Sequence, residues 1–376
     1  MDGAPQVAVV AIGDPASPQT WSGTTVGILA GLHELGIDAH AVDLTLPPAI
    51  EQTLLAAAAA RTRNRFDAHS APLTMRVRSA LARLRTRGLG LHGAIQVGSN
   101  FSLPAGVPFV TLEDMTVRQA MSVHPVFNRM SAAAIASWER HRSGVYSRAR
   151  ACTAASHWAG DSLIADYGVA RERVAIVGLG PNHRIEAQPG ERDWQTPRFL
   201  FVGIDWQRKG GPQLLQAFSR LREERPDATL DVVGGHPPLH EPGVNGHGLL
   251  SSERPGDRES MAGLFARATC FAMPSQVEPF GIVHIEAAAA GIPSIGTTVG
   301  GPRDVIGPDG GVVVDPGDER ALLEAMRLLC DPQTARRMGQ AARQRARLYT
   351  WPKVAERLLR ALSLQAPDGR ELAQLL

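Results

Sequence analysis

Cysteine, lysine, aromatic rings and long apolar runs are all scarce in this chain, and each scarcity removes a class of protein. Cys152, Cys270 and Cys330 stand far apart, with no Cys-x-x-Cys pair and no Cys/His cluster. A disulfide framework and a zinc site are therefore not expected, and a reducing cytoplasm is the natural compartment. No segment approaches the roughly 18 apolar residues of a membrane span. The first apolar run has no basic flank, so residues 1–13 read as a first strand rather than a signal peptide. Net charge is only +2, which gives no global field to hold nucleic acid. Lysine is nearly absent: Lys209 and Lys353 stand among 39 basic residues, the others being arginine. A lysine kept against such a bias draws notice to Lys209.

What remains is long, apolar enough and regularly patterned. With 376 residues and 44% hydrophobic content, the chain suits two α/β domains rather than one. Short β-rich runs at 7–12, 39–44, 94–97, 109–112, 151–155 and 174–177 alternate with helical patterns. That alternation predicts a parallel sheet wound with helices. A polar stretch with two prolines follows, and a second series then opens with strands at 198–202, 228–233, 269–273, 293–297 and 312–314. The expected division is an N-terminal domain over 1–185, a linker over 186–197, a second domain over 198–350, and a terminal helix over 351–376 crossing back to the first domain. Ligands of such sheets sit in the crevice beyond the carboxyl ends of the strands.

The densest chemistry lies in Pro274-Ser-Gln-Val-Glu-Pro-Phe-Gly-Ile-Val-His-Ile-Glu-Ala287, where a strand gives way to a helix. Gly281 permits close backbone approach to a ligand. The Ile282 and Val283 amides are first-turn donors, and with the helix dipole they suit a diphosphate. Glu278 in the loop and Glu286 in the helix can accept hydroxyls on either side of a phosphate. A ribose–diphosphate–hexose chain has that shape.

These residues resemble a known family. Glu-Pro-Phe-Gly-x4-Glu-Ala, followed by Gly291-Ile-Pro and Val299-Gly-Gly, is similar to the E-x7-E region of family 4 retaining glycosyltransferases. Phe201-Val-Gly-Ile-Asp-Trp-Gln-Arg-Lys-Gly-Gly211 resembles that family's strand, glycine turn and Lys-Gly segment, and Trp21-Ser-Gly-Thr24 its N-terminal glycine turn. The resemblance implies the GT-B fold, two Rossmann-like domains facing an interdomain cleft. It implies hexosyl transfer from a nucleoside-diphosphate sugar to an acceptor hydroxyl, retaining and metal-independent. In that scheme Glu286 holds the ribose and Glu278 the transferred sugar. Phe280 and Gly281 bring backbone amides to the sugar, and Arg208 and Lys209 bind the diphosphate. Gly23 lets the first loop approach the donor, His124 contacts the sugar, and Asp114 meets the acceptor hydroxyl. Base contacts are expected near Gly248 and Leu249.

Two fixed cations at a departing phosphate favour the transition state over the substrate. They can replace a metal, and no Asp-x-Asp motif is present; no cofactor is expected. Many family members carry an arginine directly after the strand glycine, where this chain has Ile204; Arg208 is expected to supply that charge. A GT-B-fold epimerase and a non-catalytic nucleotide-sugar binder are the rival readings. For the base, the sugar, the acceptor and the oligomeric state there is no readable code.

One helical stretch stands outside this scheme. Leu73, Val77, Leu81 and Leu84 form an apolar stripe, with Arg76, Arg83 and Arg87 elsewhere on the surface. A basic amphipathic helix can make weak peripheral contact with an anionic membrane. The plainer expectation is a surface helix packed by that stripe on its own domain.

Overall fold

Runs such as Gln6–Ala11 and Phe199–Phe201 are apolar on both faces, as parallel strands covered by helices must be. The computed structural model of the chain describes residues 4–62, 64, 66–67, 71–123, 129–183, 192–251, 254–365, 374 and 376. It divides into two compact units, one of residues 1–180 with 351–376 and one of residues 181–350.

The first unit carries a six-stranded parallel sheet. Its strands are β1 (Gln6–Ala11), β2 (Asp38–Asp43), β3 (Gly93–Val97), β4 (Phe109–Glu113), β5 (Ala151–Ala154) and β6 (Val174–Ile176), in the order β2-β1-β3-β4-β5-β6. Strand order reverses between β1 and β3. The helix α1 (Thr24–Glu34) starts in the loop that leaves β1 at this point. The stretch read as one helical region near 51–87 is two helices, α2 (Pro48–Thr62) and α3 (Pro72–Thr86). Two further helices, α4 (Val117–Val123) and α5 (Ala132–Arg148), lie between β4 and β5, and α6 (His157–Ala165) follows β5.

The second unit repeats the plan. Its strands are β7 (Arg198–Gly203), β8 (Thr229–Gly234), β9 (Val244–Gly248), β10 (Cys270–Ala272), β11 (Ser294–Thr297) and β12 (Gly311–Val314), all parallel in the order β12-β11-β10-β7-β8-β9. Its helices are α7 (Gly211–Glu224), α8 (Pro255–Arg267), α9 (Ile282–Ala289), α10 (Pro302–Ile306), α11 (Glu319–Leu329) and α12 (Pro332–Ala346). The chain winds outward from β7 to β9 and then returns to lay β10 on the other side of β7. Loops leaving β7 and β10 therefore diverge from adjacent strands, which opens a crevice at their carboxyl ends. All three cysteines are buried thiols, and burial pushes the Cys270 thiol far above its ordinary range.

The last helix, α13 (Trp351–Leu362), packs on α1 within the first unit. The contact is set by size. A methyl group at Gly27 would lie 1.9 Å from the Trp351 ring, and one at Gly180 would lie 2.6 Å from it. At Gly31 it would meet the Trp351 carbonyl at 2.4 Å. Gly27 and Gly180 thus seat the indole, and Gly31 admits the backbone that carries it. Among the described residues, no helix is long and apolar enough to cross a membrane.

Candidate active site

The site is assembled from the two loops at the strand-order reversal of the second sheet. After β7 the chain turns tightly: Asp205 Oδ1 accepts from the Arg208 amide at 3.1 Å, and the Lys209 amide donates to the Asp205 carbonyl at 2.9 Å. This turn is locked onto the loop that leaves β10. The Gln276 amide donates to the Arg208 carbonyl at 2.8 Å, and the Arg208 guanidinium donates to the Val277 carbonyl at 3.0 Å. The chains approach so closely that a methyl at Gly210 would lie 2.1 Å from the Pro274 carbonyl oxygen.

Docking the loops brings the sequence-predicted charges together. Lys209 Nζ donates to Glu278 Oε2, and Arg208 Nη1 stands 3.7 Å from the same oxygen. The Glu278 backbone is clamped as well. Its amide donates to the Val299 carbonyl at 3.1 Å, and its carbonyl accepts from the Gly301 amide at 3.0 Å. Gly300 is needed for this closure, since a methyl there would lie 1.8 Å from the Glu278 carbonyl oxygen.

Three residues on, Gly281 ends the loop in the left-handed region (φ 89°) and caps α9. That conformation turns the chain into the helix, whose first-turn amides at Ile282 and Val283 have no acceptor within it. Phe280 points inward, its ring 6.0 Å from that of Tyr349, so only its backbone is offered to the crevice.

Glu286 is buried one turn into α9. Its Oε1 accepts from the Asn182 and His183 amides, both at 3.1 Å. Burial lifts its carboxyl to about 7, against the lowering effect of those two amides. Half of this group near neutral pH is thus protonated. Nothing in the sequence pointed to Asn182 and His183, which lie about a hundred residues upstream.

His284 also went unread as a site residue, although it stands midway between the two glutamates. It is buried, its edge faces Phe271 at 5.1 Å, and neither ring nitrogen has a hydrogen-bond partner. Burial, and then the Lys209 charge, push its pKa down to about 3. The ring is therefore neutral at any working pH. A methyl at Gly281 would meet its Cδ2 at 2.8 Å and one at Gly296 its Cε1 at 3.3 Å, so the imidazole fills the space under the loop. The Ser275 hydroxyl, in the loop that leaves β10, is likewise buried without a partner.

Gly248 and Leu249 end the edge strand β9, in the same unit. The Gly248 amide donates to His236 Nε2 at 3.0 Å, while Nδ1 of that ring donates to the Pro237 carbonyl at 2.7 Å. Leu249 and Ile204, at the ends of β9 and β7, both expose their side chains. Asp231, in β8, is buried. It accepts from His247 at 2.7 Å and from Arg267 at 3.1 Å.

Gly23, the N-cap of α1 in the loop leaving β1, and Asp114, directly after β4, belong to the first unit. Trp21 (φ 49°), Ser22 (φ 52°) and Gly23 (φ 83°) are three consecutive left-handed residues before α1. Such a run in non-glycine residues is costly and is typical of functional turns. The Trp21 ring braces the turn against Gly98, where a methyl would meet it at 2.7 Å. Asp114 is half-buried. Its neighbour Glu113 turns into the core, where Ser99, Tyr146 and Arg142 all donate to it. His124 lies outside the described residues.

Both the fold and this loop pair have known counterparts. The structure superposes on the sucrose-phosphate synthase from Thermosynechococcus elongatus with a TM-score of 0.66 at 20% identity, over 94% of this chain and 96% of that one. It superposes on WaaG, a glycosyltransferase involved in lipopolysaccharide biosynthesis, with a TM-score of 0.62 at 17% identity, over 94% and 99% of the two chains. The fold is that of the GT-B glycosyltransferases.

Residues 184–345, which contain the whole loop pair, match the family of glycosyl transferases group 1. The chain is 31% identical over 204 residues to an MMP alpha-(1->4)-mannosyltransferase of Mycolicibacterium hassiacum, a match that covers 51% of this chain and 49% of that protein. It is 29% identical over 222 residues to a D-inositol 3-phosphate glycosyltransferase of Corynebacterium diphtheriae, covering 53% and 52%. The chain thus spans about half the length of the curated relatives it matches.

Proposed function

We propose that this protein is a family 4 glycosyltransferase. It moves a hexosyl unit from a nucleoside-diphosphate sugar to an acceptor hydroxyl, with retention and without a metal ion. The observation that carries this reading is the convergence of Arg208, Lys209 and Glu278 on one point beside the first turn of α9. A pyrophosphate at that point meets two cations and the Ile282 and Val283 amides. Glu278 lies to one side for hexose hydroxyls and Glu286 further along the helix for the ribose. Gly248 ends the edge strand β9 of the same sheet and Leu249 follows it; the two are assigned to the base by family resemblance.

In the reaction the bond from the anomeric carbon to the phosphate oxygen breaks, and its electron pair stays on that oxygen. Arg208 and Lys209 stabilise the charge formed there. The acceptor oxygen bonds to the anomeric carbon on the face the phosphate leaves, and its proton passes to the departing phosphate oxygen. Gly23 is assigned to the donor and His124 to the sugar by family resemblance, and Asp114 to the acceptor hydroxyl by its place at the end of β4. The mannosyl, inositol-phosphate and glycan-building activities in the relatives' names make a polyol or saccharide the favoured acceptor class.

The test is a thermal-shift screen of nucleotide sugars. Transfer and hydrolysis assays then follow on the best donor, with EDTA present, and NMR assigns the product anomer. A donor that stabilises the protein and is transferred with retained configuration in EDTA supports the reading. Stabilisation without turnover would make the protein a binder, and interconversion of the donor alone would make it an epimerase.

A further inference from the structure

Charge is distributed unevenly along the chain. Residues 48–87 hold eight arginines against two acidic residues, Glu51 and Asp67, although the whole chain carries only +2. The rest of the chain therefore has a net acidic balance, and α3 alone carries four arginines with no acidic residue.

The stripe of α3 expected to pack inward is split: Leu81 packs on the core and Val77 is half-buried, while Leu73 and Leu84 face solvent. Leu73 is 52% exposed and Leu84 68%, and Arg76, Ala80, Arg83 and Arg87 are exposed with them. At 100° per residue these six side chains, with half-buried Val77, share one face. The opposite face supplies the buried contacts, through Thr74, Met75, Arg78, Ala82 and Thr86. Two arginines near the protein body are used internally: Arg78 donates to Glu51 at 2.6 Å, and Arg85 to the Asp43 carbonyl. Among the described residues, Arg76, Arg83 and Arg87 have no acidic partner. The neighbouring α2 is similarly under-covered. None of its side chains from Pro48 to Ala60 is fully buried, and Ile50 is 47% exposed.

We propose that this face of α3 docks the protein on an anionic lipid surface. Leucines at two ends of a solvent-facing stripe, flanked by unpaired arginines and with no acidic residue in α3, match such a surface both in apolarity and in charge. An acidic protein groove would offer the charge but needs acceptors at fixed positions. A bilayer needs only this arrangement of leucines and free guanidinium groups. The inference does not depend on the donor-site reading.

The test is co-sedimentation of the purified protein with vesicles of phosphatidylcholine alone and with 30 mol% phosphatidylglycerol (a composition set by the experimenter, roughly that of an anionic leaflet). Binding is expected on the anionic vesicles only and is expected to fall at high salt. Arg76→Glu/Arg83→Glu/Arg87→Glu should lower partitioning at least about tenfold, since each basic residue near the surface adds roughly a fivefold attraction. Leu73→Ser/Leu84→Ser should lower it about tenfold through lost apolar burial. All five positions are exposed, so both variants should melt like the parent. Equal binding to neutral vesicles, no binding to anionic ones, or variants that bind as the parent does would overturn the proposal. So would a concentration-dependent dimer that Leu73→Ser/Leu84→Ser abolishes, because a second copy would then cover the face.

Discussion

Lys209 donates to Glu278 across two loops that are 69 residues apart in sequence, and both groups sit where a sugar phosphate is proposed to bind. Donor binding has to exchange this ion pair for two new contacts, Lys209 with phosphate and Glu278 with sugar hydroxyls.

That exchange separates the effects of removing Glu278. Glu278→Gln keeps the shape but releases Lys209 from its partner. Calorimetry should show nucleoside diphosphate binding at least as tightly as to the parent. Transfer should fall by about a hundredfold, the scale expected when a charged hydrogen-bond partner of the reacting sugar is lost. Equal losses in both measurements would mean that Glu278 serves the loop rather than the sugar.

Glycine substitutions should change sign with position. Gly263 lies in α8 with open space around its Cα, so Gly263→Ala should stabilise by up to about 1 kcal/mol. Gly31→Ala, also in a helix, should destabilise because its methyl collides with the Trp351 backbone. Gly281→Ala should cost about 1–2 kcal/mol for a left-handed φ and a clash with His284, and should weaken donor binding as well. Thermal melts and donor titrations read all three.

Two buried groups under the loop titrate in opposite senses. Glu286 rises from 4.5 to about 7 on folding, so the native state holds the extra proton and stability falls as pH climbs between those values. His284 drops from 6.5 to about 3, so the unfolded state holds the extra proton and stability rises over that window. Between about pH 4.5 and 6.5 the two trends offset each other. Single variants expose them: Glu286→Gln should tilt the melting profile upward with pH, and His284→Asn should tilt it downward. Donor affinity of the parent should increase as pH passes through 7, because ribose hydroxyls donate best to the ionised Glu286. A flat profile in both variants would contradict the assigned causes.

The meeting of the two loops was legible in sequence because each follows its strand directly, so order along the chain becomes adjacency at the strand-order reversal. Arg208, Lys209, Glu278, Gly281 and Glu286 could be read this way. The amides that hold Glu286 could not, since Asn182 and His183 carry no pattern and reach it only through the fold. The strand β9 was missed because Val-Asn-Gly-His-Gly is polar and glycine-rich, and only pairing with β8 makes it extended. In α3 the periodicity gave a true amphipathic helix, but the pattern does not say which face has a partner. Met75 and Ala82 took the inward side, leaving Leu73 and Leu84 in solvent.

The central claim is that the loop after β7 and the first turn of α9 together grip a pyrophosphate. The most direct measurement is calorimetric binding of UDP, GDP and ADP to the parent and to Arg208→Ala/Lys209→Ala. The account predicts that one of these nucleotides binds the parent and that the double variant binds it at least about thirtyfold more weakly, the loss expected for two charge-assisted contacts. Unchanged affinity for that nucleotide in a correctly folded double variant would contradict it.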